Sequence, residues 1–399
     1  MREVRVKLFP DRRGDAVSAP LRGLAMAVAG AVVTGCAFVA LRVDGRAGDL
    51  PEAPSGFTVS VIARIDSPRE LAAAPNGDLI VGTGGREVEL VPDAVGTPGK
   101  PVVFATLPDS EAAGVALGDG TLFVGSHTGV WRIPYRAGEH VAGAAPERIA
   151  SVRQQDGGGH STTSVAVSGD RLYASVGSSC NACTETDPTR AKIFAMSTNG
   201  ANMTPKAVDI RNAIALAVDP ESGALWAGVA GQDELAHGHP YEIFDDVSAR
   251  AGTADYGWPT CYENRTPVSS GIDCSKVAVP RVVFPAYETP IGAAFYPLHP
   301  AGAHAFPPMY RGGAFVTLHG SWHEPLVPPR VAYVPLKNDE PAEPVNWNDP
   351  SVQWRPFLSG FQHSDQSRIG RPTGVAVGPD GSLFVADDLA NVVYRIRPR

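Results

Sequence analysis

The chain has 399 residues, a formal net charge of −8 at neutral pH, 43 glycines and 36 prolines. The length leaves room for two domains, but the acidic balance and the lack of a Lys/Arg stripe exclude a basic face for nucleic acid. The wealth of turn-forming residues, with no long stretch of helical apolar periodicity, points to many short strands.

The amino terminus reads in three steps: a basic segment over 1–22, an apolar run at 24–33 (LAMAVAGAVV), then Val33-Thr34-Gly35-Cys36. That order is that of an export signal. An aliphatic residue, two small ones and a Cys resemble the lipobox of bacterial lipoproteins, which predicts a signal over 1–35, cleavage before Cys36 and lipid on its thiol. An uncleaved anchor from about residue 23 to 41, just long enough to cross a bilayer, and a simple cleaved signal are the alternatives. All three put the remainder outside the cytoplasm, in the envelope or periplasm, and the first two hold it to the membrane. Arg12-Arg13 is followed by Gly14-Asp15, not by apolar residues, so a twin-arginine signal has little support. Residues 36–55 read as a tether and 56–399 as the folded part.

From there one phrase recurs: strand, tight turn, strand. It stands at 70–81 (ELAAAPNGDLIV), 114–124 (GVALGDGTLFV), 164–174 (SVAVSGDRLYA) and 215–227 (ALAVDPESGALWA). A degraded copy starts at 292 (GAAFYPL), its second strand expected at 314–318 after an insertion, and the clearest copy is 374–388 (GVAVGPDGSLFVADD). In that last copy Pro379 sets φ, Asp380 bonds its own backbone and Gly381 tolerates positive φ. Six such repeats predict an all-β fold, a six-bladed β-propeller. A β-sandwich is the competing architecture, but sandwiches do not repeat one phrase so evenly. Residues 57–62 (FTVSVI) alternate like a strand yet precede the first repeat, so this N-terminal strand is expected to close the last blade, that of 374–396.

Apart from Cys36 the cysteines are Cys180, Cys183, Cys261 and Cys274. An even number in an exported chain suggests two disulfides, and local pairing, Cys180 with Cys183 and Cys261 with Cys274, is the simplest of three connectivities. The Cys180-Asn181-Ala182-Cys183 run sits between blade strands, unlike a thioredoxin-type redox motif that opens a helix, and lacks the two further ligands zinc would need.

Propeller sites gather where equivalent loops meet at one end of the channel. His160, Arg211-Asn212, Arg371 and Arg69 each lie just before the first strand of a repeat, so they are expected to converge. A His suited to accepting a proton beside Arg forks suited to carboxylates implies a small polyanionic ligand. The competing reading is that each residue caps a strand or pairs with an acid on its own loop.

At these residues the chain resembles the soluble quinoprotein glucose/sorbosone dehydrogenases, in particular the sorbosone dehydrogenase-like branch. The resemblance covers about 56–397 and is carried by GGH at 158–160, YASVGSSCNAC at 173–183, Arg211-Asn212, DYGWPTCY at 255–262, FVTLHGSW at 315–322 and GRPTGVAVGPDGSLFVADD at 370–388. It implies a six-bladed propeller that binds pyrroloquinoline quinone (PQQ) and calcium and oxidises an aldose, sorbosone-like aldehyde or related sugar, passing electrons to an unidentified acceptor. It assigns His160 as general base, Arg211, Asn212, Arg371 and His319 to the cofactor, and Gly231 and Gln232 to calcium through main-chain carbonyls. Where the family carries two further arginines this chain has Thr163 and Thr373, and His323-Glu324 follows LHGSW in place of Asn-Arg. Thr163 is expected to remove a positive charge from the pocket. Two other functions compete: a calcium-dependent propeller lactonase, which would need several Asp, Glu and Asn around the metal, and a non-catalytic envelope propeller that binds carbohydrate or protein, the reading Thr163 favours.

Overall fold

The structure is a computed structural model that describes residues 49–399 apart from 154–157 and 324–325. The export signal over 1–35, the lipidation site Cys36 and most of the tether lie outside the described residues. Among the described residues no helix is long and apolar enough to cross a membrane.

Each repeat forms a blade of four antiparallel strands, six blades among the described residues, and the third adds a short parallel strand, Ala254–Asp255, at its outer edge. Blade I is Pro68–Ala73, Leu79–Thr83, Glu87–Val91 and Val102–Thr106, from the channel outward. Blades II, III and IV begin at Gly114–Gly118, Thr163–Ser168 and Ala213–Val218, and blades V and VI at Pro290–Phe295 and Pro372–Val377. The degraded repeat has its second strand at Ala314–Leu318, after an insertion that carries the 3-10 turn Pro308–Tyr310. The turn at 379–381 is built as its residues require: Gly381 has φ +87° and the Asp380 carboxylate accepts the Ser382 N–H at 3.0 Å.

The N-terminal strand Phe57–Arg64 pairs with Val392–Pro398, Phe57 opposite Pro398 and Arg64 opposite Val392, as the outermost strand of blade VI. The first and last strands of the ring thereby lock together. Phe57 buries its ring edge-on against Phe306 at 4.7 Å and Phe357 at 5.3 Å, a contact set whose truncation to Ala costs about 3–5 kcal/mol. The chain is also held slightly ahead of this strand, since Glu52 and Ser359 exchange main-chain hydrogen bonds of 2.8 and 3.0 Å.

Alternating apolar residues of neighbouring blades pack face to face. Ile80, Leu90 and Phe104 of blade I meet Leu122, Trp131 and Ile133 of blade II in one buried cluster. Toward the axis the ring narrows until backbone meets backbone. A Cβ on Gly82 would fall 2.1 Å from the Ala113 carbonyl oxygen, one on Gly125 2.1 Å from that of Thr163, and one on Gly374 2.3 Å from that of Arg69. Only glycine fits such an approach. At the seam between blades III and IV a Cβ on Gly177 would meet Asn212 Oδ1 at 2.5 Å and His160 Cβ at 2.6 Å, so the same narrowing brings the candidate base against the next blade.

Candidate functional site

His160, Arg211, Asn212, Gly231, His319 and Arg371 line one cavity of about 600 Å³. They come from the loops that enter blades III, IV and VI and from two loops that leave second strands. Coincident register in the repeats predicted His160, Arg211, Asn212 and Arg371 together, and the resemblance supplied Gly231 and His319. Two expected residues lie elsewhere. Gln232 faces a separate hollow of about 450 Å³ behind Arg211, lined also by Tyr241, Tyr256, Trp258 and Tyr262, because the chain turns away after Gly231. Arg69 pairs with Asp388 at 3.0 Å and does not line the cavity.

His160 is held in one tautomer. Its Nδ1 lies 3.1 Å from the Ser178 carbonyl and 3.0 Å from Ser178 Oγ. The Ser178 hydroxyl proton already goes to the Cys180 carbonyl at 2.7 Å, so Nδ1 carries the hydrogen and donates. Nε2 is left as the free acceptor of a residue on the cavity wall. Burial, then the Arg211 charge, push the imidazole down to about 4, so it is neutral at physiological pH.

On the opposite wall Arg371 Nη2 donates to His319 Nδ1 at 2.6 Å, and His319 Nε2–H donates to Asp388 at 3.1 Å. Burial holds His319 neutral, pushed down to about 4, although Asp388 pulls the other way. Asp388, bonded by His319 and faced by Arg69 and Arg371, is held down to about 2 against the opposing effect of its burial. The neighbouring Asp387 carboxylate accepts the Arg371 main-chain N–H at 2.8 Å and fixes the base of that side chain. Arg371 Nε, buried, has no hydrogen-bond partner among the described residues.

Arg211 donates from Nε to the Asn181 carbonyl (3.1 Å), from Nη2 to Asn181 Oδ1 (2.9 Å) and Asp233 Oδ2 (3.2 Å), and from Nη1 to the Ala230 carbonyl (3.3 Å). One of its five hydrogens remains for a ligand. Asp233 also accepts from His323 Nε2 at 2.9 Å, and the His323 ring is sandwiched between Tyr287 and Trp322, with centroids 4.0 Å away on each side. Trp322, 71% exposed, stands at the cavity rim.

The expectation for Thr163 is corrected. Thr163 is fully buried behind the cavity, and its hydroxyl accepts from Arg153 Nη1 at 2.5 Å. Arg153 also donates to the carbonyls of His127 (2.6 Å), Thr162 (2.7 Å) and His160 (3.2 Å). The guanidinium comes from the preceding loop, not from position 163. Thr373 likewise is buried in the seam between blades, bonded to the Pro68 carbonyl at 2.9 Å.

The donor set fits a polycarboxylate: a buried Arg371 Nε without a partner among the described residues, one further Arg211 hydrogen, and Asn212 lining the same cavity. The acid side of the cavity is different. Glu242 accepts the N–H of Gly231 at 2.6 Å and of Tyr287 at 3.0 Å, and Asp233 is engaged as above. Carboxylates beside Gly231 suit a cation bound through main-chain carbonyls. Among the described residues the grouping of His, Cys, Asp and Glu close enough to chelate a metal is Cys180, Cys183 and Glu185, and there Cys180 is joined to Cys183; Cys261 is joined to Cys274.

Comparison with known proteins bears on the fold. The holo form of the pyranose dehydrogenase PQQ domain from Coprinopsis cinerea superposes with a TM-score of 0.74 at 17% identity, covering 87% of this chain and 97% of that one. The calcium structure of the Trichoderma reesei carbohydrate-active enzyme of family AA12 gives a TM-score of 0.71 at 18% identity, covering 88% and 97%. An uncharacterized protein of Borreliella burgdorferi is 24% identical over 200 residues, and the match spans 48% of each chain, so about half the length of that relative. The model of the TrAA12-like family matches residues 51–270 and 268–399. With that match running over the whole propeller, the chain belongs to the TrAA12-like family.

Proposed function

We propose that this protein is a sugar oxidoreductase that works with PQQ and calcium. The observation that carries the reading is His160: its Nδ1–H is tied to Ser178, and Nε2 is left as a free base in a cavity whose arginines match carboxylates. PQQ, when bound, supplies the two-electron acceptor for the substrate hydride, and calcium a Lewis acid. His160 takes the proton of the sugar hydroxyl at Nε2. Arg371, Arg211 and Asn212 would hold the cofactor, with His319 keeping Arg371 in place, and the Gly231 segment beside Arg211 would hold calcium. Trp322 and Tyr287 offer aromatic faces for a sugar ring. An aldose, a sorbosone-like aldehyde or a related sugar suits this cavity as substrate, with electrons leaving to an external acceptor. The basic, apolar and small-residue order of 1–36 supports export to the envelope with lipid on Cys36.

The test is a dye-reduction assay across aldoses, with PQQ and calcium titrated into the wild type and His160→Ala. The substitution is expected to lower kcat by roughly two to four decades, the contribution of a positioned base, with PQQ affinity changed only a few-fold. Tight PQQ binding without turnover on any sugar would indicate a binding module. No PQQ binding in the wild type would end the reading.

A further inference from the structure

We infer that Asn181, carried on the Cys180–Cys183 loop, is the positioning residue of Arg211, and that opening this disulfide loosens the hold of the cavity on an anionic ligand. The second half of the inference rests on the polycarboxylate reading above.

Asn181 is the hub of the bonds behind Arg211. Its main-chain carbonyl accepts Arg211 Nε at 3.1 Å and Trp258 Nε1 at 3.0 Å. Its Oδ1 accepts Arg211 Nη2 at 2.9 Å and the Asp233 N–H at 2.8 Å, and its Nδ2 donates to the Asp233 carbonyl at 3.0 Å. One residue thus fixes the guanidinium and also the acid that pairs with it. Arg211 gives four of its five N–H groups to the protein, two of them to Asn181, so the direction of the fifth is set chiefly from this loop. A guanidinium freed from Asn181 rotates about its long stem and meets a ligand carboxylate with that entropy still to lose.

The loop that presents Asn181 has little else to hold it. Ala182 is exposed and the two cysteines half-exposed, within reach of a reductant. Glu185 braces the start of the loop, accepting the Ser179 N–H at 2.6 Å and its hydroxyl at 2.9 Å, and the Cys180 carbonyl accepts Ser178 Oγ at 2.7 Å. Beyond Cys180 the disulfide is the covalent tie. Its opening by an external dithiol breaks the S–S bond, delivers two electrons and two protons to give two thiols, and leaves the reductant as a disulfide. The cavity then keeps its residues but loses the frame around Arg211. This gives the CNAC run a role that neither a thioredoxin-type nor a zinc reading supplied.

The experiment uses the full chain as wild type, Asn181→Ala, and the double variant Cys180→Ser/Cys183→Ser, which avoids reductants that attack quinones. Equilibrium dialysis measures PQQ affinity in the presence of calcium. NMR of the ligand-free chain follows the Arg211 Nη2–H and Asp233 amide N–H signals, the two donors to Asn181 Oδ1, with the Arg211 signal assigned by Arg211→Met. Both variants are expected to bind PQQ about ten- to a hundredfold more weakly, to recover most of kcat at saturating PQQ, and to lose the solvent protection of Arg211 Nη2–H and of the Asp233 amide. A purely structural role would lower the melting temperature without moving the signals or the affinity measured well below it. Unchanged signals in Asn181→Ala overturn the positioning role. Loss in Asn181→Ala with none in the double cysteine variant overturns the redox half. If the wild type binds no PQQ, the proposed function fails, and the ligand-free signals still decide whether Asn181 positions Arg211.

Discussion

Arg211→Met separates two effects of one charge. Methionine keeps much of the apolar stem and removes the guanidinium, whose side chain is only 8% exposed. Losing a charged donor to a carboxylate costs about 1.5–3 kcal/mol, which predicts PQQ binding weakened roughly 10- to 100-fold. The second effect falls on His160. Burial is the larger cause of its depressed pKa of about 4 and Arg211 the next, while Asp233 pulls upward. Without Arg211, and with Asp233 no longer neutralised by it, the imidazole titrates at higher pH, burial still keeping it below its ordinary 6.5. Stability follows by linkage. A histidine held below its unfolded pKa contributes stability that is intact above pH 6.5 and lost as pH falls from 6.5 through about 4. Arg211→Met narrows that gap, so the variant loses less stability than wild type over this window, although at pH 7 it starts lower because Asp233 and Asn181 are left without their partner. The assays are an NMR titration of the His160 ring in the ligand-free chain, PQQ dialysis, and urea unfolding at pH 7 and pH 4.5. A ring that still titrates at about 4 would refute the electrostatic link between Arg211 and His160. An unchanged PQQ affinity would refute contact between Arg211 and the ligand.

Trp322→Ala removes a side chain that is 71% exposed, so the melting temperature should hold. Loss of one stacking face worth about 0.5–1.5 kcal/mol raises KM for sugar roughly 2- to 12-fold, which steady-state kinetics at saturating PQQ would reveal. Arg153→Met leaves the carbonyls of His127 and Thr162 and the Thr163 hydroxyl without this donor, while the His160 carbonyl keeps Arg190. It should destabilise the fold in urea unfolding by about 1–3 kcal/mol for each buried acceptor left bare and lower kcat by shifting His160. Removal of the disulfide by Cys261→Ala/Cys274→Ala opens a bridge with sequence separation 13, predicting a loss of about 3 kcal/mol in the chain-entropy account, read by the same unfolding assay with PQQ affinity unchanged.

The six blades were legible because a strand–turn–strand phrase carries its own marks: alternating apolar residues, and turns such as 379–381 where positive φ and a side-chain bond are both needed. The strand at 57–62 was legible as a leftover, a strand without a hairpin partner. Register also found the cavity. His160, Arg211, Asn212 and Arg371 hold equivalent places in their repeats, and equivalent places in a ring face one axis. What stayed hidden is the support. Asn181, Trp258, Arg153, Asp387 and Asp388 lie off that register. Most of their bonds go to main-chain carbonyls and N–H groups, which every residue offers, so the acceptor end leaves no trace in the sequence. The 255–262 run carried the family resemblance without a role of its own, yet the Trp258 indole N–H donates to the Asn181 carbonyl at 3.0 Å. Gln232 failed for the converse reason: its neighbour Gly231 lines the cavity, and a single step along an irregular loop was enough to leave it.

The case of Thr163 shows why charge must be counted around a point in space and not along the chain. By position, replacing an arginine there subtracts one positive charge from the site. In the fold, Arg153 reaches the Thr163 hydroxyl from ten residues upstream with a side chain only 4% exposed. Burial pushes that guanidinium down to about 10, still charged at neutral pH. The charge therefore persists next to His160, but it is spent on the protein: its four bonds tie the loop before blade III to blade II, leaving less for a ligand than an arginine aimed into the cavity would. In the proposed function the anionic ligand is met instead by Arg371 and by the remaining hydrogen of Arg211. That division makes affinity depend on the two arginines whose supports lie off the shared register, Asp387 and His319 for one and Asn181 for the other. It also leaves the base, framed by Ser178 and Arg153, free to be altered separately. Affinity and base strength can then respond to different substitutions, and they meet at Arg211, which acts on both.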